Sequence, residues 1–354
     1  MINGMKKIGQ LTVLIPSLLL AAVFLFSSCR KDEGPYTDGK VSLTLKIGTQ
    51  GDLSVSTRAG ENVLPYEGIR TLRVIVVSPE GSAGGRRILY NVKHTVDSNP
   101  APGTATLETE LQLENVPAGI ADIYVIGNEE SIIDGDGYTD EVLEGDRYKE
   151  DEKLLVLDES WTRFPARYEE IAVHGLPMSG KLEDADIQAN SDISIQLVRA
   201  AVKINLTVEN ATSGNLTLKW VRLGEFISDR VFMFRRDGTS LDIPEDTRHT
   251  GKQYGSDNEP LGVNLAQGQK TDWSPVYIFP NYAYRDQTGP NPYTLALATD
   301  RKDYEASQFA SDLNAMVRNT QFNITARITA SANIEISYTQ VPWTKIEIEI
   351  PAFD

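Results

Sequence analysis

Hydrophobic and polar residues alternate along most of this chain with a period of two. Over residues 40–47, Val41, Leu43, Leu45 and Ile47 share one face, and Lys40, Ser42, Thr44 and Lys46 share the other. Successive side chains of a strand point to opposite faces, so this pattern predicts an amphipathic strand with one buried face. Residues 72–77, apolar except for Arg73, and residues 121–127 read as strands buried on both faces. Further strands are predicted at 88–92, 107–113, 193–197, 201–208, 216–223, 276–279, 293–298, 322–328 and 334–338. Turn signals separate them, among them Ser78-Pro79 and Asn115-Val116-Pro117-Ala118-Gly119. No long segment after residue 30 keeps a helical period, so the fold class is all-β. Residues 134–153 are acidic and predict loop or short helix; 235–268 are polar and predict long loops. Residues 181–190 lack a strand pattern and mark the expected boundary between domains at 59–185 and 186–332.

The two ends carry matching patterns. After Ile334, Ile336 and Tyr338, the run Gln340-Val341-Pro342-Trp343 interrupts the alternation, because proline cannot donate to a ladder. Ile346, Ile348 and Ile350 then alternate with Lys345, Glu347 and Glu349, within a terminal segment 333–354. Near the other end, the 40–47 strand is followed by a small, polar tract holding Ser56-Thr57-Arg58-Ala59-Gly60, a favourable place for proteolysis. Cleavage between Arg58 and Ala59 would leave the 40–47 strand held only by hydrogen bonds and packing. Burying its four aliphatic side chains is worth roughly 6–12 kcal/mol before entropy. A vacated groove would therefore be a strong template for another strand. The isoleucines of a neighbour's tail have the right period, and such a head-to-tail contact builds a filament. The same residues also suit an ordinary edge strand and an ordinary loop arginine.

Composition changes this picture in three ways. Lys6 and Lys7, a largely apolar run from 11 to 26, and Ser27-Ser28-Cys29 form the layout of a lipoprotein signal, with residues 1–28 removed and Cys29 lipidated. Cys29 is the only cysteine, so disulfides, a thiolate nucleophile and a cysteine metal site are excluded. The balance of 34 basic and 50 acidic residues, net −16, argues against a nucleic-acid partner. His94, His174 and His249 are far apart and fit no zinc or triad motif. Asp134 and Asp136 resemble the start of a calcium loop, but Thr139 and Gly145 stand where such a loop needs Gly and Glu. No phosphate loop or dinucleotide fingerprint occurs. No cofactor, metal or enzymatic activity is expected. The four tryptophans suit packing, with Trp343 placed to anchor a donated tail.

Several segments resemble the FimA-type fimbrillin family, the type V pilins. They are Asn115-Val116-Pro117-Ala118-Gly119 with Tyr124-Val125-Ile126-Gly127-Asn128, and Leu176-Pro177-Met178-Ser179-Gly180. Further along come Leu197-Val198-Arg199-Ala200-Ala201-Val202-Lys203, Val276-Tyr277-Ile278-Phe279-Pro280-Asn281 and Val317-Arg318-Asn319-Thr320. Lys31-Asp32-Glu33 after Cys29 likewise resembles the surface-export tag of Bacteroidota lipoproteins. The resemblance implies two tandem transthyretin-like β-sandwich domains and export as an outer-membrane lipoprotein precursor. It implies removal of 29–58 by an Arg-specific protease at Arg58-Ala59, taking Val41, Leu43, Leu45 and Ile47 with it. It also implies polymerisation with other copies or related subunits by donor-strand exchange. The donor would be drawn from Ile334, Ile336, Tyr338, Trp343, Ile346, Ile348 and Ile350, in a cell-surface fimbrium contacting host or bacterial surface ligands. The alternative is an uncut, permanently lipid-anchored module binding glycan, protein or calcium.

Overall fold

The computed structural model describes residues 39–49, 64, 66–79, 82, 86–97, 105–132, 166–235, 241–330 and 334–343. Among the described residues seventeen strands carry the fold. The first group comprises β1 (Lys40–Thr49), β2 (Thr71–Val77), β3 (Ile88–Thr95), β4 (Glu108–Pro117) and β5 (Gly119–Gly127). After the short β6 (Ala166–Arg167) and a helix α1 (Tyr168–His174), β7 (Met178–Ile187) and β8 (Asp192–Arg199) complete it. Then follow β9 (Val202–Asn210), β10 (Leu216–Ser228), β11 (His249–Tyr254), β12 (Val263–Leu265) and β13 (Lys270–Ile278). The last are β14 (Thr294–Thr299), β15 (Asp303–Gln308), β16 (Thr320–Ile328) and β17 (Ile334–Pro342).

The first sheet runs β3-β2-β5-β7-β8-β1-β4. It is joined in the middle by only two residue pairs between β7 and β8, so it folds over into two facing layers. Their inner faces make one core from Leu43, Leu45, Leu72, Val74, Ile123, Val125 and Leu197. The second sandwich packs β11-β10-β14-β15 against β17-β16-β9-β13-β6 around Phe226, Tyr293, Leu297, Phe322 and Ile324. The all-β class expected from the alternation is therefore present, as is the sandwich architecture that the resemblance implies.

Three features depart from the sequence reading. Residues 181–190 fall largely in β7, whose outer face is exposed and acidic, so no hydrophobic alternation announces it. The chain changes sheets at Ala200–Ala201, between β8 and β9, and residues 186–199 belong to the first sheet. The polar 235–268 stretch contains β11 and β12; β11 (HTGKQY) is an exposed edge strand made by pairing with β10 rather than by burial.

Both sandwiches contain a parallel pair in an otherwise antiparallel setting: β1 with β8, and β16 with β9. The motif residues also meet. Asn128, at φ 57°, accepts from the Arg70 and Thr71 amides at 2.8 and 3.2 Å and donates to the Gly68 and Leu176 carbonyls at 3.0 and 2.7 Å. A buried amide with all four sites used fixes the corner where β5 ends and the chain enters β7.

Candidate functional site

The site with the most developed geometry is the slot that β1 fills. One edge of β1 pairs antiparallel with β4, the other parallel with β8. The amide of Thr44 donates to the Ser191 carbonyl at 2.9 Å, and that of Thr49 to Leu107 at 3.0 Å. Leu43, Leu45 and Ile47 are at most 2% exposed and Val41 is partly buried, so the predicted face is the buried one. They lie in the same core as Leu113 and Val116 of β4 and Ile193, Ile195 and Leu197 of β8. Among the described strands β4 pairs with β1 alone. Loss of β1 would thus free two strand edges at once and expose the floor between them.

A bulge sets the register. Val41 pairs with Val116 and Leu43 with Leu113, leaving an extra residue in β4 where Asn115 sits at φ 61°. Asparagine tolerates this left-handed backbone, and the bulge turns β4 into the Pro117-Ala118-Gly119 corner.

The outward face of the slot is acidic. Glu108, Glu110, Gln112 and Glu114 of β4 point out, as does Asp192 of β8. Lys46 is the β1 cation among them: its Nζ lies 3.0 Å from Asp192 Oδ2, and Glu110 stands directly across. The hydrogen bond and charge of this pair raise the Lys46 pKa and lower that of Asp192. Both groups are solvent-exposed, so salt screens the pair.

A second constellation joins the two sandwiches. The Leu64 amide donates to Glu67 Oε2 at 3.2 Å, and the Glu67 amide donates to the Leu64 carbonyl at 2.9 Å. The Glu67 carboxylate is fully buried and accepts from the Tyr277 hydroxyl at 2.6 Å and from Lys203 Nζ at 2.7 Å. Burial, and then the Glu67 charge, push the Tyr277 phenol well above its ordinary value, so it remains a donor. The Trp343 ring stacks on Tyr277 at 6.0 Å, with the Arg199 guanidinium 4.8 Å and the Lys203 ammonium 5.5 Å from its centroid. Arg199 also donates to Asn319 Oδ1 at 3.4 Å, and Arg318 pairs with Asp242 at 3.1 Å. Arg199, Lys203, Tyr277, Arg318 and Asn319 come from three of the motif segments quoted above. Lys203 inside the apolar run Ala-Val-Lys-Ile-Asn-Leu was a signal that a buried cation needs a partner; nothing pointed to Glu67.

Of the residues assigned to a donor, Ile334, Ile336 and Tyr338 lie in β17, which pairs along all its 9 residues with β16. Ile334 is in the second core, and Tyr338 packs on Phe309 and Phe322 while donating to Asp312. Trp343 is buried at the junction within its own chain. Cys29, Arg58, Ala59, Ile346, Ile348 and Ile350 lie outside the described residues, as do Asp134, Asp136 and Trp161. Among the described residues no group of three metal-ligating side chains comes together.

A cavity of about 790 Å³ opens elsewhere, lined by Phe232, Ile243, Tyr282, Tyr284, His249 and Asp286. His249 Nδ1 lies 3.2 Å from Ser228 Oγ, and burial lowers its pKa, partly offset by Asp229. Its folded state resists protonation, so its contribution to stability is complete above an unfolded pKa near 6.5 and falls as pH drops below that value. Urea unfolding at pH 7.5 and at about pH 5.5 should show this loss, and His249→Gln should reduce it.

No family model matches the chain, and no curated protein matches it. Solved structures share the fold. A Parabacteroides distasonis protein assigned to cell adhesion aligns over 87% of this chain and 99% of its own, at 12% identity and a TM-score of 0.54. A Bacteroides eggerthii protein with the same assignment aligns over 88% and 98%, at 13% identity and 0.52. A fimbrial assembly protein from Parabacteroides distasonis aligns over 85% and 95%, at 14% identity and 0.50. At these identities the likeness is one of fold.

Proposed function

We propose that this chain is a structural subunit of a cell-surface fimbrium. It is exported as a lipoprotein through Cys29, cut between Arg58 and Ala59, and linked to the next subunit by strand exchange into the β1 slot. The observation that carries this reading is the placement of β1. It is a non-edge strand whose Leu43, Leu45 and Ile47 are buried, and its covalent link to the rest of the fold passes through the tract that holds Arg58. The fold shared with a fimbrial assembly protein and with proteins assigned to adhesion supports the same direction. The full-length pairing of β17 with β16 favours a narrower donor: the Ile346, Ile348 and Ile350 segment moves, while Ile334 to Trp343 stay in their own subunit. The protein partners are then other copies or related subunits and an Arg-specific protease.

The second reading is an uncut, lipid-anchored binding module, favoured by the cavity beside Tyr282 and Phe232. Intact mass and N-terminal sequencing of protein sheared from its native surface separate the two. Fimbrial assembly gives an N-terminus at Ala59 in a boiling-sensitive ladder of multimers. A lipidated Cys29 in a monomer would sink it.

A further inference from the structure

We propose that the cavity of about 790 Å³ is a binding site for a neutral saccharide, with a sugar ring on Tyr282 and Phe232 and its hydroxyls on His249, Arg285 and Asp286. This goes beyond the fimbrial reading and does not need it, because no lining residue belongs to β1, β4 or β8.

The cavity lies where the two cores meet. Phe232, Leu241 and Tyr282 pack on the first core, and Ala283 and Tyr284 belong with the second. Its volume falls within the range of about 300–1,000 Å³ usual for small-ligand sites, which favour such boundaries. The floor is aromatic and aliphatic, and Phe232 and Tyr282 are only half-buried.

Hydrogen bonds already made inside the protein assign the roles of the polar rim. Ser228 Oγ donates its one proton to the Pro280 carbonyl at 2.7 Å, so His249 Nδ1 is the donor in the 3.2 Å contact between them. That fixes the tautomer and leaves Nε2 as an acceptor; burial lowers the ring's pKa, so it is neutral at neutral pH. Thr247 likewise gives its proton to the Pro244 carbonyl at 2.6 Å and keeps an accepting oxygen. Arg285 Nε donates to Asp286 Oδ1 at 3.0 Å, which leaves the Nη groups as donors and Oδ2 as an acceptor. Glu245 adds a second carboxylate near the guanidinium.

This set selects among ligand classes. An acyl chain would bury the rim groups without partners. A phosphate or carboxylate would meet two carboxylates and one cation that is already paired. A basic side chain would face Arg285 and offer nothing to its N–H groups. A hydroxyl both donates and accepts, so a ring of hydroxyls serves both kinds of rim group while its C–H face covers the aromatic floor.

Saturation-transfer NMR of the purified protein with maltose, cellobiose, lactose and diacetylchitobiose tests this, with glucose phosphate and N-acetyl-lysine amide as charged controls. Transfer to at least one disaccharide and to neither control is expected. Thr288 is exposed on the rim, and Thr288→Trp should fill the mouth and abolish the signal. Asp286→Ala, also at an exposed position, should weaken binding by about 10-fold through the lost charge-assisted hydrogen bond. Urea unfolding of both variants should match the wild type, so that a lost signal is not lost folding. Silence from all four disaccharides, a stronger response to either control, or a signal that survives Thr288→Trp would overturn the proposal. The N-terminus of the surface protein is a separate readout, so failure here leaves the fimbrial reading standing.

Discussion

Replacing Glu67 by alanine should cost about 3–5 kcal/mol of folding stability, because it strands a buried cation. Lys203 is 7% exposed and Glu67 lies 2.7 Å away. The Tyr277 hydroxyl would also lose its acceptor. Glu67→Gln keeps an acceptor for Tyr277 but not the charge, so it should be milder than alanine yet clearly destabilising. The double variant Glu67→Gln with Lys203→Met should recover much of the loss, since a buried pair replaced as a whole is often neutral. Urea unfolding followed by tryptophan fluorescence reads this directly, because Trp343 lies over Lys203 and Tyr277. A cost below about 1 kcal/mol for Glu67→Ala would mean that Lys203 reaches water once its partner is gone.

Leu45→Asp should open the first sandwich. Leu45 is 0% exposed between two layers, and an unpaired carboxylate there must either remain protonated or expel β1. Expulsion forfeits the burial of Leu43, Leu45 and Ile47, roughly 4–9 kcal/mol as an upper estimate. Hydrogen exchange localises the effect. Amides of β4, which pairs only with β1 among the described strands, should lose protection, whereas those of β9 and β16, in the separate second core, should keep theirs. Ser42→Asp, on the exposed face of the same strand, should change stability by less than about 1 kcal/mol. Equal loss of protection in both sandwiches would show that they unfold as one unit.

Much of this fold was legible because a strand's side chains alternate with a fixed period. Val41 to Ile47, 193–197 and 322–328 each have a buried face written into their order, and the structure buries that face. Turn chemistry was equally local: Pro117 and Gly119 mark a corner whatever lies beyond it. β7 and β11 were not legible. Their outer faces are polar, and what makes them strands is the unpaired edge of β5 or β10 beside them.

The sequence by itself determined that the chain is all-β, that one face of each end segment is apolar, and that Arg58 separates the first such segment from the rest. These are properties of neighbours along the chain, fixed by backbone geometry and side-chain order. Only the tertiary structure decided that β1 is a non-edge strand parallel to β8. The same holds for Trp343, which serves its own junction, and for Glu67, which meets Lys203 and Tyr277. Those outcomes depend on which distant segments share a layer, and it is the burial of a common core, not local propensity, that selects them.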